Sequence, residues 1–213
     1  MLKQQQDYLS GEVISQQLGV SRAAVNKAIN GLRQDGYHIE SATRKGYRLV
    51  TSPDLVTEGE IRPYLHTEQL GHQLICFQEV DSTNNYLKRE SHNLPSGTVA
   101  VANSQTGGRG RLGRAFHSPQ DKGIYLSVLL KPTVEPAQAL NLTAYIAVAV
   151  CEGVERATGL HLDIKWTNDL LLAGKKVGGI LTEMAIEGEC GTLEYIVPGI
   201  GLNVNEVTTD FPE

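Results

Sequence analysis

Between His161 and Val204 the chain carries four mostly apolar stretches, HLDIKW (161–166), DLLLAG (169–174), KVGGILTEMAIE (176–187) and LEYIVPGIGLNV (193–204), with connections too short to hold a helix. Each reads as a strand, and tight glycine-containing turns join them. Upstream, LICFQEV (74–80), TVAVANS (98–104) and GIYLSVLLK (123–131) read as further strands, and DSTNNYLKRE (81–90) as a helix capped by Asp81 or Ser82. A longer helix starts near Pro136 and stops at Gly159, with Leu142, Ile146, Ala149, Val150, Gly153 and Val154 facing inward. Helices early and a run of hairpins late predict an α+β layer fold on a mixed sheet. A Rossmann sheet is excluded, because it needs regular strand–helix crossovers.

A different pattern precedes residue 51. SGEVISQQLGVSRAAVNKAINGLRQDGY (10–37) reads as two short helices around a tight turn. Ser10 caps the first, which turns Val13, Ile14 and Leu18 inward; Gly19 makes the left-handed corner and Ser21 caps the second. In that second helix Val25, Ile29 and Leu32 form the apolar stripe, and Arg22, Asn26, Lys27 and Asn30 the opposite face. HIESATRKGYRLV then alternates as a hairpin with Arg44, Lys45 and Gly46 at its tip. Helix, turn, helix and basic hairpin predict a winged helix-turn-helix. Ser21, Arg22, Asn26, Lys27 and Asn30 would face a DNA major groove, with Arg44 and Lys45 gripping phosphates. TSPD (51–54) is the joint, giving domains over 1–53 and 60–213.

Charge supports that division. Residues 1–50 hold seven Lys/Arg against four acids, although the whole chain has a net charge of −5. The N-terminal MLKQQQDYLS has no apolar core behind its lysine and so is not a signal peptide. No uninterrupted apolar run approaches the length that crosses a bilayer, so a cytoplasmic protein without membrane contact is expected. Cys76, Cys151 and Cys190 are far apart, with no histidine at ligand spacing, and read as free thiols rather than a metal site.

The segment GGRGRLGR (107–114) puts three arginines and four glycines into eight positions. Glycine carries high backbone entropy, and arginines two and three apart repel, so the segment is expected to be disordered until an anion arrives. It lies inside a folded domain and is too short for an RGG-type RNA-binding tail. Glycine backbone that approaches a ligand closely, flanked by guanidinium groups, suits an anion-binding lid. In HLDIKWTND, alternation puts Leu162, Ile164 and Trp166 on one face and Asp163 with Lys165 on the other. DSTNN offers hydroxyls and amides at a helix start, able to hold a small uncharged polar ligand.

Together these residues resemble the biotin protein ligases, specifically the bifunctional kind that also represses the biotin operon. The resemblance is carried by Ser82-Thr83-Asn84, Gln105 with Gly108-Arg109-Gly110-Arg111-Leu112-Gly113-Arg114, Lys165-Trp166 with Asn168-Asp169, Lys176 to Leu181, and Gly199 to Asn205. It implies an SH2-like, class II synthetase-related catalytic domain that converts biotin and ATP, with Mg²⁺, to biotinyl-5′-AMP. The biotinyl group then passes to a lysine of a biotin carboxyl carrier protein, and the adenylate drives a homodimer onto operator DNA. It implies Lys165, Arg109 and Arg111 as catalytic residues. Ser82, Thr83, Asn84, Gln105, Arg109, Gly110, Arg111 and Lys165 would bind biotin. Arg111, Arg114, Phe116, Asn168, Lys176 and Asn203 would bind the nucleotide. Thr167 and Phe116 stand where the family often has proline and tryptophan. The chain stops at VTTDFPE, before the SH3-like β domain the family carries, which reads as a fragment. A lipoate or octanoate ligase would lack the GRGRxGR loop and the winged helix. A repressor that only senses the adenylate would not need Lys165, and an RNA-binding use of the loop would be indifferent to ATP.

Overall fold

The structure, a computed structural model, describes residues 1–188 and 191–210. It divides into two compact units, Met1–Leu55 and Val56–Glu213. In the first, the Ser10 and Ser21 hydroxyls accept hydrogen bonds from the N–H groups of Val13 and Ala24, both at 3.1 Å, and start α1 (Gly11–Leu18) and α2 (Arg22–Gln34). Gly19 turns the corner at φ 65°. Ile14, Val25, Ile29 and Ile39 form the core, with Leu2, Leu9, Leu32, Tyr37, Tyr47 and Leu49 packed around it. Val13 and Leu18, expected inward, are exposed. A two-turn helix at the edge of so small a core is covered along one narrow stripe, and Ile14 fills it.

Strands β1 (His38–Ala42) and β2 (Gly46–Thr51) form the hairpin, with Arg44 at φ 64° in its turn. Leu9 pairs with Tyr47 beside it. A side chain at Gly46, itself at φ 110°, would overlap the Leu9 carbonyl, so this position requires glycine.

The second unit opens with a single turn, α3 (Glu58–Ile61), capped by Thr57. Its sheet comprises β3 (Leu74–Val80), β4 (Val99–Gln105), β5 (Gly123–Val128), β6 (Asp163–Lys165), β7 (Asp169–Leu172), β8 (Lys175–Ile186) and β9 (Leu193–Asn203), in the order β3-β4-β5-β9-β8-β7-β6. The β3–β4 pair is parallel, and every other pair is antiparallel. The parallel pair is the one with a helix between its strands, α4 (Thr83–Arg89); the late strands pair through hairpins, as their short connections require.

Helices cover both faces. Leu87 of α4 packs with Leu94, Ala100, Leu129 and Val197 on one side. On the other, α5 (Leu142–Thr158) lays Ala147 against Leu162, Leu170 and Ile180, and ends at Gly159 with φ 75°. Ala149 and Gly153, expected inward, are exposed, and Ala147 takes the central position. The helical stretch Pro136–Thr158 reaches the length and mean hydropathy (1.3) of a segment that could cross a membrane. That departs from the sequence-based expectation, which counted only uninterrupted apolar runs. Cys76 and Cys151 are free thiols; Cys190 lies outside the described residues.

Candidate functional site

Sheet register creates a trough on the α4 face. Ala100, Ser127, Gly199 and Leu181 stand abreast across β4, β5, β9 and β8; one rung on come Ala102, Tyr125, Gly201 and Gly179. Apart from Leu181 and Tyr125, the residues of these two same-face rungs are small and leave space above the sheet, and two side chains descend into it. A Cβ at Gly199 would overlap Asn84 Oδ1, and one at Gly201 would lie 2.5 Å from the Phe116 ring. The glycines of GIGLN are therefore needed for close approach.

At the α4 end, Ser82 caps the helix by accepting from the Asn85 N–H at 3.4 Å. The Thr83 N–H donates to Gln105 Oε1 at 2.9 Å, and Thr83 Oγ1 lies 2.7 Å from Ser127 Oγ, which donates to Asn84 Oδ1. The Asn84 amide donates to Glu183 Oε2 at 2.8 Å and to the carbonyls of Leu181 and Val197. Lys88 Nζ closes the set on Glu183 Oε1 at 2.6 Å. Burial pushes the Glu183 carboxyl up, but the bonds from Lys88 and Asn84, with the nearby Arg109 charge, together hold it below the ordinary carboxylate range. Ser82, Thr83, Asn84, Gln105 and Arg109 line a polar hollow of about 30 Å³, with Phe116 on its rim.

The Gly/Arg segment is folded, contrary to the disorder expected of it. Gly107 N–H donates to the Asp81 carbonyl, Gly110 N–H to that of Arg114 and Phe116 N–H to that of Gly108, and Arg109 bridges to Ala115. Arg109 Nη2 donates to Asn85 Oδ1 at 2.6 Å, and Arg111 Nη1 to Thr167 Oγ1 and Asn168 Oδ1, both at 2.8 Å. These acceptors are neutral. They fix the guanidinium groups without cancelling their charge, which remains available to an anion. Leu112, at the loop tip, is 90% exposed with φ 58°.

A second hollow of about 270 Å³ lies beside the first, lined by Gly110, Arg111, Arg114, Phe116, Asn168 and Lys176 among others. Lys176 pairs with Asp169 at 2.8 Å. An outer hollow of about 610 Å³ includes Phe116, His117, Lys176 and Asn203, whose Oδ1 is buried with no hydrogen-bond partner among the described residues. The structure thus gathers the expected residues around one trough, with one exception. Lys165 lies on the edge strand β6 opposite Asp169, is exposed, and lines none of these hollows. Ile164 and Trp166, expected to share a face with Leu162, are 37% and 74% exposed, because α5 and its neighbours reach only Leu162. Sequence reasoning did not single out Ser127, Glu183 or Lys88. Glu183 had a signal: an acid in the middle of ILTEMAI, in phase with Gly179 and Leu181.

In the first unit Ser21, Arg22, Asn26, Lys27 and Asn30 share an exposed surface of α2, with Arg44 and Lys45 at the hairpin tip. Arg33 donates to Asn30 Oδ1, Asn30 to Asn26 Oδ1 and Asn26 to the Tyr47 hydroxyl, a ladder from the helix to β2.

Residues 74–203 match the model of the Biotin/lipoate A/B protein ligase family, and residues 1–48 that of an HTH domain. The chain belongs to the biotin/lipoate A/B protein ligase family. Within this ligase family it is 45% identical over 209 residues to the bifunctional ligase/repressor BirA of Bacillus spizizenii, covering 97% of this chain and 63% of that protein. To BirA of Escherichia coli K12 it is 35% identical, covering 93% and 60%. Among solved ligases, that of Aquifex aeolicus in complex with biotin and ATP superposes with a TM-score of 0.53 at 37% identity, over 67% of this chain and 56% of that one. The ligase of Leishmania major in complex with biotin gives 0.51 at 25% identity, over 62% and 57%.

Proposed function

We propose that the chain carries the catalytic centre of a biotin protein ligase, within residues 60–213, and the DNA-binding head of a biotin-responsive repressor, within residues 1–53. One observation carries this. A hollow lined by the neutral polar groups of Ser82, Thr83, Asn84 and Gln105 shares one trough with guanidinium groups hydrogen-bonded to neutral acceptors, beginning with Arg109 at its edge, matching a ligand with an uncharged polar head and an anionic tail. Biotin is such a ligand, a ureido ring joined to a carboxylate by an apolar chain. Ser82, Thr83, Asn84 and Gln105 would hold the ring, and Arg109, Gly110, Arg111 and Lys165 the carboxylate. Arg114, Phe116, Asn168 and Lys176 would face the nucleotide. The unpartnered Asn203 Oδ1 suits an amino donor of the base.

The biotin carboxylate attacks the α-phosphorus of ATP and expels pyrophosphate, giving biotinyl-5′-AMP. Two anions must meet, so positive charge that tightens in the transition state lowers the barrier. Arg109, Arg111, Arg114 and Lys165 supply it, the last after moving in from the exposed edge strand. Mg²⁺ would arrive on the triphosphate. Among the described residues no group of three or more His, Cys, Asp or Glu could hold a metal ion. The mixed anhydride is labile to water, and the loop from Gly107 to Phe116 would cover it until a carrier-protein lysine takes the acyl group. The chain spans 63% of the length of the Bacillus relative, so the activity and partners of the complete protein belong to the same proposal. So do the SH2-like, class II synthetase-related assignment, an SH3-like β domain, a cytoplasmic location without membrane contact, and an adenylate-dependent homodimer on operator DNA.

The test supplies ATP, Mg²⁺ and, in turn, biotin, lipoate or octanoate, and follows pyrophosphate release and the mass of a carrier domain. Release with biotin alone, reduced about 100-fold or more in Lys165→Ala, is expected. Release with lipoate instead, or none with any acid, overturns it.

A further inference from the structure

The polar hollow has a direction, set by groups behind it. The NH₂ of Asn84 faces three acceptors, the carbonyls of Leu181 and Val197 and Glu183 Oε2. A flipped amide would aim its oxygen at all three, so Oδ1 must point at Ser127, whose hydroxyl donates to it. A hydroxyl has one proton. With that of Ser127 committed, the 2.7 Å contact between the Ser127 and Thr83 oxygens has to be bridged by the Thr83 proton. Turning that proton to Gln105 Oε1, 3.2 Å away, would leave two hydroxyl oxygens facing each other with nothing between them. Gln105 Oε1 is already served by the Thr83 backbone N–H at 2.9 Å. Thr83 Oγ1 therefore offers only lone pairs to the hollow it lines. The order starts at an ion pair: Lys88 donates to one Glu183 oxygen and leaves the other to accept from Asn84.

Resting on the proposed biotin site, we infer that Lys88, Glu183 and Ser127 are positioning residues that, through Asn84, lock Thr83 as a hydrogen-bond acceptor. The site would thereby select a ring N–H of the ureido group over an acceptor atom at the same place. Ser127 is fully buried and Glu183 pairs behind Asn84, so each acts through another residue. A buried polar group left facing its own kind costs a site far more than a lost contact, and this is how hydrogen-bonding pockets discriminate strongly between near-isosteres.

Calorimetric titration of the 213-residue chain with biotin, and with the two cyclic carbamates in which one ureido N–H is replaced by ring oxygen, reads this direction. The unmodified protein should prefer biotin to one of the carbamates by about 100-fold or more. Ser127→Ala frees the Thr83 proton and should cut that preference at least about tenfold. Glu183→Gln cannot accept from Lys88 and Asn84 at once and should weaken the preference in the same sense, while Glu183→Asp should retain most of it. If both variants lose affinity for biotin and carbamate equally, or keep the full preference, the inference is overturned and the cluster serves only folding. An unmodified protein that binds biotin without preference overturns the inference alone. One that binds none of these ligands overturns the biotin site and the inference with it.

Discussion

If the polar hollow takes biotin as proposed, Phe116 stands in the way. Its ring lies over Gly201, forms the rim of a polar hollow of about 30 Å³, and also lines the larger hollows beside it. That small volume is of the order of one or two water molecules, and under the proposed function a swing of Phe116 would enlarge it for a bicyclic ring system. The aromatic face is then free to stack on a base. Two opposite consequences follow for Phe116→Ala. Biotin alone should bind several-fold more tightly, because no ring has to be displaced. The KM for ATP should rise about tenfold, through loss of a stacking contact of roughly 1–3 kcal/mol. Titration calorimetry and initial rates of pyrophosphate release measure the two effects, and weaker biotin binding would show that the ring supports the pocket rather than blocks it. Phe116 was expected at the site only through the family resemblance, and its resting place over Gly201 was not legible in the sequence. That depends on Gly201 of β9 meeting a loop residue some 85 positions earlier, which no local pattern encodes. Ser127 was hidden for a related reason: in GIYLSVLLK its hydroxyl looks like an ordinary break in an apolar run, and only its abreast position with Gly199 exposes its role.

Whole elements were easier to read than contacts. The caps at Ser10 and Ser21, the pair Asp81 or Ser82 of which Ser82 is the cap, and the stop at Gly159 were visible because each is a local exchange between one side chain or one φ angle and its own helix. The strands were also visible, yet the faces of β6 were not. Alternation shows that two faces differ, not which one another layer covers, and the edge strand leaves Ile164 and Trp166 in solvent. The basic face of α2 makes the next prediction at this scale. Arg22 and Lys27 are exposed, and neither belongs to the Arg33–Asn30–Asn26–Tyr47 ladder. If they contact phosphates, replacing either with alanine should lower the slope of log affinity against log salt by about one without changing sequence preference. Asn30→Ala removes the middle of the ladder and should instead flatten preference among sequences at constant slope. Fluorescence anisotropy at several salt concentrations, on duplexes the protein selects from a randomised pool, separates the two.

At the scale of the molecule, the charge asymmetry agrees with the two roles proposed for the chain. Residues 1–50 carry seven basic and four acidic side chains, while the chain as a whole is at −5, and the structural division falls after Leu55. A basic head favours DNA on its own, so a repressor that responds to a small ligand needs that affinity to depend on the other unit. Linkage makes such dependence measurable from either side. If the adenylate raises affinity for DNA by some factor, saturating DNA must raise affinity for the adenylate by the same factor, whatever structural route connects them. A coupling of about 1–3 kcal/mol, or roughly 5- to 150-fold, is ordinary for such switches. Supplying biotin and ATP should therefore tighten binding to the selected duplex, and that duplex should lower the equilibrium dissociation constant of labelled biotinyl-5′-AMP by the same factor. Sedimentation under the same conditions shows whether dimers carry the effect: with dimerisation as the route, the gain in DNA affinity should vanish at protein concentrations where the liganded chain stays monomeric. Equal DNA affinity with and without adenylate at every concentration would leave two independent units on one chain, a ligase centre and a DNA-binding head that do not communicate.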